Sequence, residues 1–179
     1  MNDVSAATTT LPARSVAAAR APSFAETAER HLDDVYRYAL VLTRDPSVAE
    51  DLAAETFERA LRMWRRFDPA RSSARTWLCT IARSTALDHF RAEKRRRNRE
   101  RAFSETEQQL DPPDLGLSPP LERALAALSA ADREVVALRI VLDIDAETAA
   151  RVLGVSLTAC TTRLSRALKR LEELMSDDE

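Results

Sequence analysis

The last predicted helix carries a row of cations and hydroxyls whose chemistry suits contact with DNA. At about 100° per residue, its polar side chains fall on one side and its leucines on the other. The polar side has no acid before Glu172. Cations bind phosphate, and hydroxyl and guanidinium groups can bond base edges in the major groove. The polar side consists of Thr158, Thr161, Thr162, Arg163, Ser165, Arg166, Lys169 and Arg170. A basic face that is merely solvated is the alternative.

The turn before this helix predicts a helix-turn-helix motif. Asp145 can cap a short helix that ends at Leu153, and Gly154 can end it with a sharp turn. Ser156 then caps a long helix that runs to about Met175. In that helix the apolar arc predicts a set of core positions. They are Leu157, Cys160, Leu164, Ala167, Leu168, Leu171 and Leu174.

A basic block with interleaved aromatics lies in the middle of the chain. Residues 59–101 contain 14 basic and 4 acidic side chains, a net charge of +10 in a chain of net charge −2. Cations attract a nucleic-acid backbone, and aromatic rings can stack on unpaired bases. The spacing of Trp64 and Trp77 among apolar residues favours a core position for both rings. The loop of residues 67–74 is the segment best able to receive an unstacked base. The cationic run 94–97 is either a phosphate contact or a solvated helix end.

The preceding segment has the opposite charge. Residues 24–58 hold 3 basic and 9 acidic side chains. Such a surface repels DNA and suits a basic protein partner. Glu50, Asp51 and Glu55 lie near one face of the predicted helix. A solvated acidic helix without a partner is the alternative.

The elements that must position these residues are all helices. With 2 glycines in 179 residues, the chain has little material for tight strand turns. The sequences at Ser23 and Ser47, each followed by Glu three residues later, predict capping boxes. A third helix is predicted to begin near Ser73 and to end within residues 94–97. In the other predicted helices, the apolar positions include Leu32 and Ile140. The sequence therefore predicts an all-α protein of two small helical domains joined by a flexible linker.

The predicted organisation has five parts. They are a disordered tail (1–22), a helical domain (23–97), a linker rich in Pro, Asp and Gln (98–120), a helix-turn-helix domain (121–175) whose first helix is capped by Ser118, and an acidic end (176–179). No run of 18 apolar residues exists, so no membrane span is expected. Two distant cysteines suggest a reducing cytoplasm.

Catalytic chemistry finds little support in the sequence. His31, His89, Cys79 and Cys160 have no ligand or nucleophile spacing. We therefore expect no metal, no cofactor and no enzyme activity. A redox role for Cys79 stays open at this point.

Two stretches closely resemble one bacterial family. The segment from Phe24 to Arg97, with VYRYALVLTRDPSVAEDLAAETFERALRMWRRFD and SSARTWLCTIARSTALDHFRAEKRRR, resembles region two of extracytoplasmic-function (ECF) sigma factors. The segment from Leu121 to Leu174, with LSAADREVVALRIVLDIDAETAARVLGVSLTACTTRLSRALKRLEEL, resembles region four. The resemblance implies a promoter-recognition subunit of RNA polymerase, without a cofactor, that an anti-sigma factor holds inactive.

The resemblance also implies a role for individual residues. Contacts to the core polymerase map onto Asp51, Leu52 and Glu55. Contacts to the minus-ten promoter element map onto Phe67, Asp68, Arg71, Ser72, Ser73, Arg75, Trp77, Arg83, Ser84, Arg91 and Arg95. Contacts to the minus-thirty-five promoter element map onto Thr161, Thr162, Arg163, Ser165, Arg166 and Lys169.

A dimeric helix-turn-helix regulator that binds a palindromic site is the rival interpretation. For the sigma factor, we expect that the free chain binds promoters poorly, because polymerase sets the spacing of the two domains. The target promoters, the inducing signal and the identity of an anti-sigma factor are not encoded in any recognisable motif.

Overall fold

In the computed structural model, residues 22–101 and 117–176 are described. All regular secondary structure in these two ranges is helical, which confirms the all-α prediction. The predicted tail up to residue 21, most of the predicted linker and residues 177–179 lie outside the described residues.

The first helical part contains three helices and a short turn. They are α1 (Phe24–Thr43), α2 (Pro46–Met63), a 3₁₀ turn (Trp64–Arg66) and α3 (Ala74–Arg101). The capping box at Ser23 is confirmed: the Glu26 amide donates to its hydroxyl at 3.3 Å, and its own amide donates to the Glu26 carboxylate at 2.6 Å.

The predicted capping box at Ser47 is wrong. The cap is Asp45, whose carboxylate accepts the Val48 amide at 3.1 Å. Pro46 then occupies the first helical position, where its fixed φ suits the helix and its missing N–H leaves no donor unpaired. The proline therefore starts the helix ahead of the serine.

The predicted end of α3 at residue 97 is also wrong, since the helix continues to Arg101. Pairs of opposite charge three and four residues apart support the helix as far as Arg97. Glu93 lies 3.0 Å from Arg96 and 3.2 Å from Arg97, and Asp88 lies 3.5 Å from Arg91. These carboxylates offset part of the repulsion within the cationic run.

The second helical part contains four helices and one wider turn. They are α4 (Pro119–Ala127), α5 (Ala130–Val136), a π-helical turn (Ala137–Val141), α6 (Ala146–Leu153) and α7 (Leu157–Ser176). The helix-turn-helix signals are confirmed. Asp145 accepts the Thr148 amide at 2.9 Å, Gly154 has φ +68°, and Ser156 accepts the Ala159 amide at 3.1 Å. Ser118 stands at the N-cap position of α4, with Pro119 first in the helix, but its hydroxyl makes no capping hydrogen bond.

The buried apolar side chains of both parts belong to one hydrophobic core. In the first part it includes Val35, Leu42, Leu52 and Leu78, and in the second Val135, Leu138, Leu142 and Leu153. The predicted apolar positions Leu32 and Ile140 are instead exposed. Helical periodicity locates an apolar arc but does not say how wide a strip the neighbouring helices cover.

The two parts also pack against one another. α1 contacts α5 and the π-helical turn, and α3 contacts α6. Tyr38 of α1 is completely buried, and the charges that act on it include Glu134 of the second part. This arrangement brings residues from distant stretches of the chain to one boundary.

Candidate nucleic-acid interface

The polar side of α7 is presented to solvent. Thr161, Thr162, Ser165, Arg166 and Lys169 are all exposed. Arg163 differs, because it is half-buried and its charge acts on Glu134. Five of the six predicted contacts on α7 are thus placed where a DNA groove could reach them.

The apolar side of α7 is only partly covered. Cys160, Ala167 and Leu171 are buried, as predicted. Leu157 and Leu168 were expected in the core but are exposed by 49% and 40%. These two leucines are exposed because the shorter helices α4 to α6 cover only one strip of the longer α7. An open groove results, lined by Thr161, Leu164, Ser165, Leu168, Lys169 and Glu172.

An aromatic cluster anchors both ends of the loop at residues 67–73. Phe67 stacks on Trp64, with ring centres 5.0 Å apart and 19° between planes, and lies 5.1 Å from Trp77. Phe24 meets the edge of Trp64 at 5.4 Å. Phe67 and Trp77, both predicted minus-ten contacts, are therefore half-buried against other rings. Their packing fixes the geometry of the loop between them.

The loop is held by short-range hydrogen bonds. The Asp68 carboxylate accepts the Ala70 amide at 2.9 Å, and its carbonyl accepts the Arg71 amide at 3.1 Å. The Ser73 hydroxyl accepts the Thr76 amide at 3.1 Å and so caps α3. The side chains of Asp68, Arg71 and Ser73 are exposed, and that of Ser72 is half-buried.

Two of the predicted cationic contacts bind carboxylates on other helices. Arg75 donates two hydrogen bonds to Asp34 of α1, at 2.9 and 3.0 Å. Burial alone would raise the pKa of Asp34, but hydrogen bonds from Arg75 and His31 outweigh it and hold that pKa below its ordinary value. Arg83 pairs with Glu134 of α5, with Nε and Oε1 3.3 Å apart. Ser84, Arg91 and Arg95 are exposed.

One of the three predicted polymerase contacts on α2 is buried. Asp51 is exposed, whereas Glu55 is half-buried and accepts hydrogen bonds from Arg59 at 2.6 and 3.0 Å. Leu52 is 3% exposed, so it packs beneath this face and does not lie on it. Its position three residues after the buried Ala49 gives the reason, since both lie on the inner strip of α2.

The same face includes a leucine that sequence reasoning missed. Leu61 is 58% exposed. Asp51, Ala54, Glu58 and Leu61 are spaced by three, four and three residues, which places them on one side of α2, and all four are exposed. That spacing was the available signal.

Neither cysteine is accessible for chemistry. Both Cys79 and Cys160 are free and buried, and burial raises the pKa of the Cys79 thiol to about 12. Among the described residues, no group of three or more His, Cys, Asp or Glu side chains is placed to hold a metal ion. In the same residues, no helix is long and apolar enough to cross a membrane.

Two different family models match the two helical parts. Residues 27–96 match the model for sigma-70 region 2, and residues 119–171 match the model for sigma-70 region 4. The chain is 31% identical to the ECF RNA polymerase sigma factor SigX of Bacillus subtilis over 163 residues, which cover 81% of this chain and 84% of SigX. It is 36% identical to the ECF sigma factor SigC of Mycobacterium tuberculosis over 149 residues, which cover 82% and 78%.

A longer relative and one solved structure extend the likeness. The sigma factor BldN of Streptomyces coelicolor is 32% identical over 172 residues, which cover 90% of this chain but 63% of BldN. The sigma factor RpoE of Bartonella quintana, solved in complex with the anti-sigma factor NepR, superposes with a TM-score of 0.74 at 27% identity. That superposition covers 87% of this chain and 98% of RpoE. With regions 2 and 4 both present in the expected order, the chain belongs to the ECF sigma factors of RNA polymerase, a family of transcription initiation factors and not of enzymes.

Proposed function

We propose that the chain binds core RNA polymerase, recognises promoter DNA with both helical parts and helps to melt it. The observation that carries this proposal is the exposed polar row on α7, directly after the Gly154 turn, in a chain that also contains region 2. In that orientation the N-terminal half of α7 enters the major groove of the minus-thirty-five element. Thr161, Thr162, Ser165, Arg166 and Lys169 contact bases and phosphates there.

Region 2 supplies the minus-ten contacts. The aromatic cluster holds the loop at residues 67–73 in place, and the exposed side chains of Asp68, Arg71 and Ser73 meet an extruded base. Ser84, Arg91 and Arg95 follow along α3 and meet the backbone of the melted strand. Each captured base contributes about 1–3 kcal/mol of stacking energy, which favours the open duplex.

The polymerase contact is the exposed face of α2. A basic partner surface contacts Asp51, Glu58 and Leu61. It also contacts Oε2 of Glu55, the carboxylate oxygen that does not accept the hydrogen bonds from Arg59. Leu52 supports this face from below. Because this surface is acidic, it stays away from DNA while the basic α3 approaches it.

An anti-sigma factor is the proposed regulator, and the regulon responds to a stress or another signal. RpoE, the structural relative, was solved with NepR bound. We propose that a comparable protein sequesters this chain in the cytoplasm, where the polymerase and its promoters are found.

Transcription in vitro tests the function. Purified chain and core polymerase are incubated with genomic fragments, and start sites are mapped. We expect new, chain-dependent starts with shared elements near positions −35 and −10. A chain that does not co-elute with polymerase and adds no start on any template contradicts the proposal. Tight binding of a palindrome by a dimer without polymerase would instead identify a helix-turn-helix regulator.

A further inference from the structure

Phe24 joins the aromatic cluster from outside the family match. It is the first residue of α1 and lies just before the segment that matches sigma-70 region 2, residues 27–96. Its ring lies edge-to-face with that of Trp64, with ring centres 5.4 Å apart and 71° between planes. Aromatic rings attract one another in this arrangement and at this distance. The cluster that anchors the loop at residues 67–73 therefore includes a ring from the very start of the first helix.

The rings connect the loop to the buried core at two points. Phe24 of α1 and Trp77 of α3 both pack against that core. The Trp64 ring lies between them, with its centre 5.4 Å from that of Phe24 and 5.8 Å from that of Trp77. Phe67, where the loop begins, stacks on Trp64 and has its ring centre 5.1 Å from that of Trp77. The first residue of the loop is therefore held by rings that α1 and α3 support.

The hydrogen bonds within the loop set its shape but not its place. The Asp68 carbonyl accepts the Arg71 amide at 3.1 Å, and the Asp68 carboxylate accepts the Ala70 amide at 2.9 Å. Both bonds join residues of the loop itself. The end of the loop at α3 is tied to α1 by the Arg75–Asp34 pair. The other end depends on the ring contacts for its position.

The start of α1 is a firm support for one of these rings. Phe24 directly follows Ser23, whose capping box with Glu26 closes the first turn of the helix. Thr27, one turn further on, is 2% exposed and so is fixed by packing. The Phe24 ring therefore projects from backbone that is held on both sides.

We propose that Phe24 is a positioning residue for the minus-ten contact. Its ring holds Trp64, and through Trp64 and Phe67 it holds the loop where an extruded base is received. A loop that is already in place binds a base without first becoming ordered, so more of the population is competent to bind. The inference rests on the proposed function, because that function assigns the captured base to this loop. Phe24 acts through the other rings and does not itself contact DNA.

Three variants separate the ring contact from general packing. Phe24→Leu removes the ring but keeps an apolar side chain, and Phe24→Tyr keeps the ring. Tyr36→Leu is the matched control, because Tyr36 is a half-buried ring on the same helix that also packs against the core. In the part of the chain that the structure describes, Tyr36 takes part in no ring pair. Loss of its ring should therefore leave the loop unchanged.

Motion of the loop in the free, full-length chain is the first measurement. Ala70→Cys places a nitroxide spin label at an exposed position of the loop, and the native Cys79 and Cys160 are buried and so should stay unlabelled. We expect the electron paramagnetic resonance spectrum to lose most of its slow component in the Phe24→Leu chain. The Phe24→Tyr and Tyr36→Leu chains should keep that component.

DNA binding by the holoenzyme is the second measurement. The probes are a single-stranded oligonucleotide that carries the mapped minus-ten element and a duplex that carries only the minus-thirty-five element. If about a tenth of the Phe24→Leu population keeps the loop in place, its affinity for the single strand should fall about tenfold. Its affinity for the duplex should not change, because α7 makes that contact. Phe24→Tyr should restore binding to the single strand.

A purely structural role for Phe24 gives a different pattern. Equal losses on the two probes, an unchanged slow component in Phe24→Leu, or a mobile loop without any loss on the single strand each overturn the proposal. Should Phe24→Leu lose helix content by circular dichroism, Phe24→Met is measured in its place against the same criteria. Absence of chain-dependent transcription by wild type is a separate result that removes the proposed function, and the spin-label spectra still decide whether Phe24 holds the loop.

Discussion

The Arg75 guanidinium binds the Asp34 carboxylate through two parallel hydrogen bonds, Nε to Oδ2 at 2.9 Å and the terminal nitrogen to Oδ1 at 3.0 Å. This pair joins α3 to α1 across 41 positions of sequence. His31 adds a third contact to the same carboxylate at 3.0 Å. The start of α3, next to the loop proposed to receive the minus-ten base, is thereby fixed to the first helix.

Arg75→Ala should lower the free energy of unfolding by about 1–2 kcal/mol, the range for a lost charge-assisted hydrogen-bond pair. Arg75→Lys should recover only part of this, because an ammonium group does not match both carboxylate oxygens. Urea unfolding followed by circular dichroism measures the change. Arg95→Ala, at an exposed position on the same helix, serves as the control. Equal stability of Arg75→Ala and wild type would show that the Arg75–Asp34 pair does not stabilise the fold.

The depressed pKa of Asp34 makes stability depend on pH. A carboxyl group whose pKa is lower in the folded state stabilises the fold above its unfolded pKa, and that contribution is lost as pH falls through the folded pKa. Wild type should therefore lose stability relative to Asp34→Asn as pH falls from about 5 to 3, near the ordinary carboxyl range. Urea midpoints at a series of pH values measure the difference between the two proteins. A constant difference across this range would contradict the assignment.

Leu61 and Leu32 offer a matched comparison of exposed leucines, at 58% and 56% exposure. Leu61→Ala should weaken binding to core polymerase about tenfold, because it removes an apolar contact from the proposed polymerase face. Leu32→Ala on α1 should leave binding unchanged. Fluorescence titration of labelled chain with core polymerase measures both affinities. Similar losses for the two variants would place the contact elsewhere.

Arg166→Ala should weaken binding to the minus-thirty-five element by about 1–3 kcal/mol if the guanidinium reads a base. If it binds phosphate, the loss should instead be uniform over sequences and the salt dependence should fall by about one charge. Holoenzyme binding to matched and mutated promoter elements at several salt concentrations separates these cases. Arg170→Ala, at a position paired with Glu173 at 3.5 Å, is the comparison. No loss on any sequence would remove Arg166 from the interface.

Cys79 should be inert in the native protein. Burial raises the pKa of its thiol to about 12, so almost no thiolate exists at neutral pH. A thiol reagent should label it at least about 100-fold faster in urea than in buffer, since labelling requires unfolding. Fast native labelling or a thiol-dependent loss of activity would reopen a redox role.

Local signals in the sequence predicted the helix ends well. Ser23, Asp145 and Gly154 act on amides and carbonyls within a few residues, so their effects can be read from neighbouring letters. The predicted cap at Ser47 was wrong because two helix-start signals lie within three residues, and the helix begins at the proline. The prediction of which part binds which promoter element came from the resemblance to ECF sigma factors.

Long-range partners could not be read in the same way. Arg75 and Arg83 are of the residue type that binds DNA. Each is instead paired with a carboxylate that lies far away in the sequence, 41 positions for Arg75 and 51 for Arg83. Leu52 and Leu61 are both leucines on an acidic helix, and only the packing of α2 shows that one is covered and the other is not. Such distinctions depend on which helix faces which, and periodicity within one helix does not contain that information.

Both tryptophans of the chain stand in the aromatic cluster beneath the loop at residues 67–73. The indole emission of the free chain therefore comes from one place. Tryptophan fluorescence of the free, unlabelled chain would report a single-stranded base that binds at that loop, so this step could be followed without attaching a dye.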